Sequence, residues 1–304
     1  MVPLSEPKVD AALLREHALR ALGELPPFSP ILNRLLASLA KDDVSFVKLG
    51  DLIEKDTVVA GNLLHLVNSA LYARRGSINS VRHALSLLGI NKLRNAVLGM
   101  SITRMWNQVK TPPSWSMARF NMHSAATAIL ADMLSQRLTV DYAEGAFVAG
   151  LFHDVGRLLI ALGLREQYGR IVELYEGELH EGLGKPMLEC EAEVIGFTHP
   201  DLSAEALNFW NLPEPVQNAV HCHHAPASDP AARGSEKVVL SRVLDAANQY
   251  VNSTGLSILK PRPGRTPDDC DATLVESLGL TADQLQSILS DFKQEYDAMS
   301  SFFR

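Results

Sequence analysis

The sequence predicts an all-α protein, in which a multi-helix bundle follows an N-terminal helical subdomain. Apolar residues recur at spacings of three and four along nearly every periodic segment, whereas alternating, strand-like runs are scarce. A proline pair within residues 110–114 divides these helices into two groups, because proline removes a backbone donor and restrains the residue before it.

The N-terminal group begins with a helix at residues 10–22, whose apolar stripe ends before Gly23. A second helix, at 29–40, places its leucines on one face. Breaks are expected at Gly76 and Gly89. The same periodicity predicts further helices at residues 46–53, 58–71, 81–88 and 92–106.

The C-terminal group opens with a long helix at residues 115–138, followed by an apolar helix within the run 146–161. A proline-rich linker at 260–267 separates a tail, whose last helix, 282–302, carries an apolar stripe that we expect to pack onto the core. Between these elements, helices are expected at residues 166–178, 187–195, 202–209, 213–221 and 238–251.

Charge and cysteine content exclude several classes of protein. The formal net charge is −7, the opposite of the basic balance that phosphate contacts require, so nucleic acid is not expected as a partner. The 3 cysteines are irregularly spaced, which argues against a disulfide framework and favours the cytoplasm. No secretory signal and no uninterrupted apolar stretch of membrane-spanning length is recognisable, so no membrane association is expected.

The most informative feature is the pair His153–Asp154, which interrupts the apolar run 146–161. Burying an imidazole and a carboxylate is costly unless each finds a partner. Neutral imidazole and ionised carboxylate are both good ligands for a divalent cation. A hydrogen bond to the backbone or a helix cap would satisfy the same groups, so the pair alone leaves both uses open.

Other residues of the second half favour the metal interpretation. His123, His199, His223 and His224 lie in or near apolar segments, and Asp245 is a carboxylate on a helix face otherwise suited to burial. Buried charges are normally paired or bound to a metal, so separate helices with the same anomaly indicate that they converge on one site.

These residues resemble a known superfamily. The order His123, His153–Asp154 and Asp245 is similar to the H…HD…D signature of the HD superfamily of metal-dependent phosphohydrolases. His199, with the pair His223–His224, resembles the additional ligands of the HD-GYP cyclic diguanylate phosphodiesterases.

Motifs in the first half resemble one branch of that superfamily, the HDOD domain. They include Leu66-Val-Asn-Ser-Ala-Leu-Tyr72 and Ala84-Leu-Ser-Leu-Leu-Gly89, and Trp210-Asn-Leu-Pro213 continues the likeness in the second half. The resemblance covers roughly residues 25–251 and implies an HD-type bundle in a bacterial signal-transduction output module. The domains expected are an N-terminal extension at 1–24, an N-terminal HDOD half at 25–109, an HD-like half at 114–255 and a helical tail at 268–304.

The resemblance also implies a ligand set. One metal would be held by His123, His153, Asp154 and Asp245, and a second by Asp154, His199, His223 and His224. A shell of imidazole and carboxylate without cysteine favours iron or manganese over a structural zinc. The expected cofactor is therefore a divalent transition metal, iron or manganese, in a site for one or two ions.

The sequence departs from the catalytic pattern at several positions. Arg157 stands where HD enzymes have a lysine, and its planar fork differs from a point charge. Ala225–Pro226 stands where a Gly-Tyr-Pro element is expected, and Arg119 replaces a glutamate that supplies a third metal in some HD-GYP enzymes. Metal binding is therefore better supported than catalysis.

Two functions remain open. In the first, the chain is an interaction module for a signalling protein partner, and the metal acts through folding and conformation. In the second, Asp154 and Arg157 are catalytic residues of a phosphohydrolase that acts on a nucleotide or cyclic dinucleotide through a metal-bridged hydroxide. The sequence favours the first and leaves enzymatic activity undecided.

Overall fold

The computed structural model describes residues 10–40, 46–72, 77–180, 185–260 and 266–304. These residues form helices and loops, with a single isolated β-bridge between Val140 and Val238 and no named strand. The all-α prediction is therefore confirmed. In the N-terminal part the helices are α1 (Ala11–Arg20), α2 (Pro30–Ala37), α3 (Phe46–Glu54), α4 (Thr57–Val67) and α5 (Val81–Trp106).

Side-chain caps explain where these helices begin. Asp10, Ser29, Asp56 and Ser80 each accept a hydrogen bond from a backbone N–H in the first turn of the helix that follows. The two helices predicted at 81–88 and 92–106 are joined in α5. The predicted break is present as a kink at Gly89, whose φ of +75° lies in the left-handed region.

Helix α4 ends earlier than predicted, because the side chain of Asn68 forms hydrogen bonds with a residue beyond the helix. The Asn68 amide donates to the carbonyl of Ile78 at 2.7 Å, and its oxygen accepts from the Ile78 N–H at 2.8 Å. These bonds fasten the end of α4 to the residues just before α5. Residues 73–76, including the expected break at Gly76, lie outside the described part of the chain.

The helices of the C-terminal half surround the histidines. They are α6 (Met117–Arg137), α7 (Ala146–Phe152), α8 (Val155–Gly163), α9 (Arg165–His180), α10 (Met187–Ile195), α11 (His199–Phe209), α12 (Glu214–His221) and α13 (Leu240–Ser253). Helix α11 begins three residues earlier than predicted, because Thr198 and Asp201 form a capping box before it.

The apolar run expected to be one helix at 146–161 is broken. Helix α7 ends before His153, and Asp154 has the non-helical angles φ −102° and ψ 12°. Residues 143–163 have the length and hydropathy of a membrane-spanning helix, but 94% of that segment is buried inside the protein. It is therefore a core segment of the bundle.

The C-terminal tail consists of α14 (Pro267–Leu278), which was not predicted, and α15 (Ala282–Met299). The apolar stripe of α15 is buried and the helix packs against α6, as the stripe predicts. Phe303 is fully buried, with its ring against Gly99 of α5. One hydrophobic core extends from α1 to Phe303, and the domain boundaries given above stay predictions.

Two glycines allow the helices around the histidines to approach closely. A Cβ at Gly150 of α7 would lie 2.5 Å from the Cα of Ala128 on α6. A Cβ at Gly156 of α8 would lie 2.1 Å from the carbonyl oxygen of His199 on α11. The Gly156 N–H also donates to Ser203 Oγ at 2.8 Å, so α8 and α11 are in backbone contact at this point.

We expect Gly156→Ala to lower the free energy of unfolding by about 1–3 kcal/mol, because the added methyl group must push α11 away. The matched control is Gly169→Ala in α9, where a Cβ would meet no atom within 4 Å. This control should be neutral or stabilising by up to about 1 kcal/mol. Urea unfolding followed by circular dichroism measures both, and a Gly156→Ala variant as stable as the native chain would contradict the close approach.

Candidate metal centre

Six of the seven predicted ligand residues come together in the C-terminal half. Five of them are at most 2% exposed, and the sixth, His224, is exposed and lines a cavity. Four elements of the bundle therefore converge here. They contribute His123 from α6, His153 and Asp154 from the break between α7 and α8, His199 from the first turn of α11, and His223 and His224 from the end of α12.

The first cluster consists of His123, His153 and Asp154. The Nε2 atoms of the two histidines lie 3.2 Å apart, and each lies 3.5 Å from Asp154 Oδ2. Adjacent side chains diverge around a continuous helix. The break between α7 and α8 removes that constraint, so that His153 and Asp154 can face the same point.

The second cluster consists of His199, His223 and His224. His199 Nε2 lies 3.3 Å from His224 Nε2 and 3.0 Å from Asp154 Oδ1, and His223 Nε2 lies 4.0 Å from the same oxygen. Each carboxylate oxygen of Asp154 thus faces a different cluster. Asp154 stands between two candidate ion positions, as the ligand pattern predicts.

Backbone carbonyls orient three of the imidazoles from behind. Because a carbonyl oxygen only accepts hydrogen bonds, Nδ1 of each ring carries a hydrogen, and in a neutral ring Nε2 therefore presents a lone pair to the cluster. The bonds run from His123 to Leu256 at 2.7 Å, from His153 to Gly150 at 2.8 Å and from His223 to Val220 at 2.6 Å.

This arrangement of acceptors fits a metal. The Nε2 lone pairs of His123 and His153 face each other across 3.2 Å beside a carboxylate, and acceptors without a donor between them repel. Asp154 Oδ1 and His223 Nε2 are buried and receive no hydrogen bond of acceptable geometry in the described structure, although His199 lies near that oxygen. A divalent cation would satisfy all of these atoms.

Burial and neighbouring charge set the protonation states that a metal needs. Burial lowers the pKa of His153 to about 4 and holds the pKa of His223 well below its usual value. Burial raises the pKa of Asp154, but interactions with His153, Arg157 and His199 outweigh it and keep this pKa well below its usual range. Neutral imidazoles and an ionised carboxylate are the metal-binding forms.

His199 has a different environment, created by Glu191 of α10. Glu191 is 2% exposed and accepts hydrogen bonds from the backbone N–H and from Nδ1 of His199, each at 2.8 Å. Burial lowers the pKa of His199, but Glu191 and Asp154 outweigh it and raise this pKa to about 9. A metal at Nε2 of His199 must therefore displace a proton, while Glu191 orients the ring.

Sequence reasoning missed Glu191. Helix α10 carries Glu189, Glu191 and Glu193 in alternation, and the residue type gives no signal that one of them is buried. Only the packing of α10 against α9 and its approach to the start of α11 distinguish Glu191 from its neighbours.

Arg157, which was predicted to be catalytic together with Asp154, contacts that carboxylate directly. Its Nη1 atom lies 3.3 Å from Asp154 Oδ2, and its side chain is 14% exposed. Both residues also line the adjoining cavity. The guanidinium therefore compensates the Asp154 charge at the same oxygen that faces His123 and His153.

Asp245 is the predicted ligand that is not a member of either cluster. Asp245 is half-buried on α13, belongs to neither cluster, and accepts a hydrogen bond from Gln249 Nε2 at 2.8 Å. Asn248, which is 3% exposed, is one of four α13 residues that line the cavity beside Asp154, with Gln249, Asn252 and Ser253. Asp245 as a ligand stays a prediction, and no sequence pattern indicated an amide at this position.

A cavity of about 310 Å³ opens onto the second cluster. Asp154, Arg157, His199 and His224 form its polar end. Its walls come from α10, α13 and residues 256–260, which we call the strap. This volume lies at the lower end of the range for small-molecule sites.

The strap is held by side chains along its whole length. Its five consecutive carbonyls all accept hydrogen bonds: the first from His123 Nδ1 at 2.7 Å, the next three from Arg119 at 2.8 to 3.1 Å, and the last from the Tyr175 hydroxyl at 3.1 Å. Arg119, a departure from the HD-GYP pattern, thus positions the main chain that orients His123.

Comparison with known proteins supports this fold. A sequence model of the HDOD domain matches residues 25–226. An HDOD domain protein with unknown function from Geobacter sulfurreducens superposes with a TM-score of 0.74 at 21% identity, covering 97% of this chain and 99% of the other. A candidate phosphohydrolase from Shewanella amazonensis SB2B gives a TM-score of 0.71 at 19% identity, covering 98% and 99%.

Two further matches differ in length from this chain. A candidate signal transduction protein from Marinobacter aquaeolei VT8 gives a TM-score of 0.69 at 20% identity, covering 100% of this chain and 67% of the other. An uncharacterized protein of Treponema pallidum (strain Nichols) is 22% identical over 205 residues, which are 67% of this chain. The matched region spans only 38% of that relative.

Elemental analysis of the purified protein should find about one to two transition-metal ions per chain. His199→Ala should lower that content, because His199 joins the second cluster to Asp154. His221→Ala is the matched control, since His221 is exposed and bonded to Asp201. A metal-free protein whose stability does not change when metal is added would contradict the assignment.

Arg119→Gln should weaken metal affinity by about 10- to 100-fold, because the residues that orient a ligand matter nearly as much as the ligand. Arg170→Gln, at an exposed position of α9, serves as the control. Competition with a metal chelator measures both affinities. Equal affinity in the two variants would show that the strap does not position His123.

Proposed function

Because this chain belongs to the HDOD domain family, we propose that it is a signal-transduction module whose HD-type site binds a metal that supports folding and conformation. The observation that carries the proposal is the convergence of imidazole Nε2 atoms around Asp154 from four separate elements. A site built from distant parts of the chain couples metal binding to the folded state.

The proposed cofactor is a divalent transition metal, iron or manganese. The support is the donor set, which consists of imidazole and carboxylate without cysteine. The first ion would be held by His123, His153 and Asp154. A second ion would be held by His199, His223 and His224, with Asp154 as the shared ligand.

A structural role for the metal agrees with the surroundings of Asp154. The guanidinium of Arg157 lies against the carboxylate that both ions would share, so part of its charge is already compensated. Asp245, a ligand implied by the HD pattern, belongs to neither cluster. Both features weaken the case for turnover.

We place the module in the cytoplasm of a bacterium, with a signalling protein as its partner. The HDOD motifs support the partner class. Cys190, Cys222 and Cys270 are buried and form no disulfide bond, which agrees with a reducing compartment.

The cavity beside the clusters favours a second candidate function, hydrolysis of a phosphate ester in a nucleotide or cyclic dinucleotide. A bound metal would act as a Lewis acid toward the phosphate and activate water. Arg157 would then contact the phosphate, and Asn248 would line the ligand site. The ligand would enter against His224, the exposed histidine.

Turnover and stability distinguish these functions. Protein loaded anaerobically with iron or manganese should hydrolyse no member of a nucleotide and cyclic dinucleotide panel faster than the metal alone. Free metal at about 100 times its dissociation constant should stabilise the fold by about 2.7 kcal/mol. Asp154→Ala should abolish that stabilisation. If the native chain hydrolyses a member of the panel and Asp154→Ala abolishes that hydrolysis, the second function would be established instead.

A further inference from the structure

A second crevice lies outside the metal centre, where α15 meets α5 and α6. Its volume is about 310 Å³, and its walls include Tyr72, which lies in the turn that follows α4. A narrow inner end, the size of a water molecule, reaches Asn95 between the same helices. Tyr72, Lys92, Asp132 and Glu295 line both parts, so outer crevice and inner end are continuous.

Among the described residues that line this crevice, carboxylates outnumber cations. Lys92 Nζ lies 3.1 Å from Glu295 Oε2, and Arg137 pairs with Asp291 at the outer rim at 3.6 Å. Within the described chain, the remaining carboxylate, Asp132, has no ion pair shorter than 4.0 Å. A neutral or anionic ligand would add no positive charge beside Asp132.

Asp132 is placed to receive a cation. Burial, the largest influence, raises its pKa to about 6, although hydrogen bonds from Asn95 and Gln136 oppose the rise. The Gln136 amide donates to Oδ2 at 2.6 Å. Arg94 also attracts Asp132, but it lines neither part of the crevice.

Asn95 supplies the independent observation. It is 5% exposed and lines the inner end, and its Oδ1 atom is buried without a hydrogen-bond partner. Its amide nitrogen is the donor toward Asp132, so its oxygen is the atom left to accept. A buried acceptor of this kind costs stability until a donor reaches it.

We propose that this crevice binds a small organic cation through a primary ammonium group. An ammonium has three N–H donors, and the inner end offers three acceptors in Asn95 Oδ1 and the carboxylates of Asp132 and Glu295. Glu295 already meets Lys92 and Tyr72, but a carboxylate has about four lone-pair positions. The apolar part of the ligand lies along Met133 and Ile288.

The alternatives fit less well. A water molecule can satisfy Asn95 but brings no charge to Asp132. A transition metal would need closely grouped donors, and among the described residues only the two histidine clusters show such groups. Because Glu295 and Met299 belong to α15, a bound ammonium would hold the C-terminal helix to α5 and α6.

Isothermal titration with 1,4-diaminobutane tests the proposal in the full chain. The diamine should bind once per chain and raise the melting temperature, whereas butane-1,4-diol and succinate, of the same chain length, should do neither. Ammonium, potassium and magnesium chlorides, added as competitors, distinguish an organic amine from an inorganic cation. Displacement of the diamine by equal concentrations of these salts would overturn the organic assignment.

Substitutions test whether the diamine binds at Asp132. Asp132→Asn should weaken diamine binding by at least about tenfold, because it removes a buried charge partner. Asp291→Asn makes the same chemical change at the exposed rim and should alter the affinity by less than about twofold. If Asp132→Asn does not fold, Glu295→Gln replaces it with the same expectation. No binding at millimolar diamine, or equal loss in the Asp132 and Asp291 variants, would overturn the proposal.

Discussion

The C-terminal half of this protein is organised around the buried carboxylate of Asp154. An ionised group in the core is tolerated only when other charges and donors compensate it. Here the compensation comes from two elements: Arg157, one turn further along α8, and His199 from α11. The break between α7 and α8 lies at Asp154, the residue that carries this buried charge. Helix packing through Gly150 and Gly156 then brings α6 and α11 close enough to supply the histidines.

The sequence predicted the helices well because their signal is local. Periodic apolar residues and side-chain caps lie within the segment that they specify, and α10 begins and ends where expected. The break at His153–Asp154 has no such signal, since the residues on both sides are apolar and suit one continuous helix. It arises from tertiary contacts made by the pair. Helix α14 was missed because it directly follows a proline-rich segment whose composition indicates a linker.

The candidate site was predictable where residue type is informative. Histidines in apolar segments are unusual, so they were identified before any contact was known. Glu191 was not, because three glutamates alternate on α10 and burial of one depends on the neighbouring helix. Asp245 was predicted from its carboxylate and stays a prediction, whereas Asn248, three residues later on α13, lines the cavity and was not predicted. Residue chemistry identifies ligands that are rare in cores, but only packing identifies the residues that support them.

Protons and the proposed metal would compete for the two clusters on unequal terms. In the second cluster, Glu191 and Asp154 raise the pKa of His199 to about 9, so a protonated imidazole can stand beside the Asp154 carboxylate when no metal is bound. The first cluster has no equivalent, because burial lowers the pKa of His153 to about 4 and the ring stays neutral. Its facing Nε2 atoms therefore depend on an ion more than those of the second cluster do. His123 belongs to the first cluster and is bonded to the strap, which leads to the C-terminal helices. The cluster that would depend more on a metal is therefore the one connected to those helices. The proposed metal would thus act where the clusters and the tail are joined.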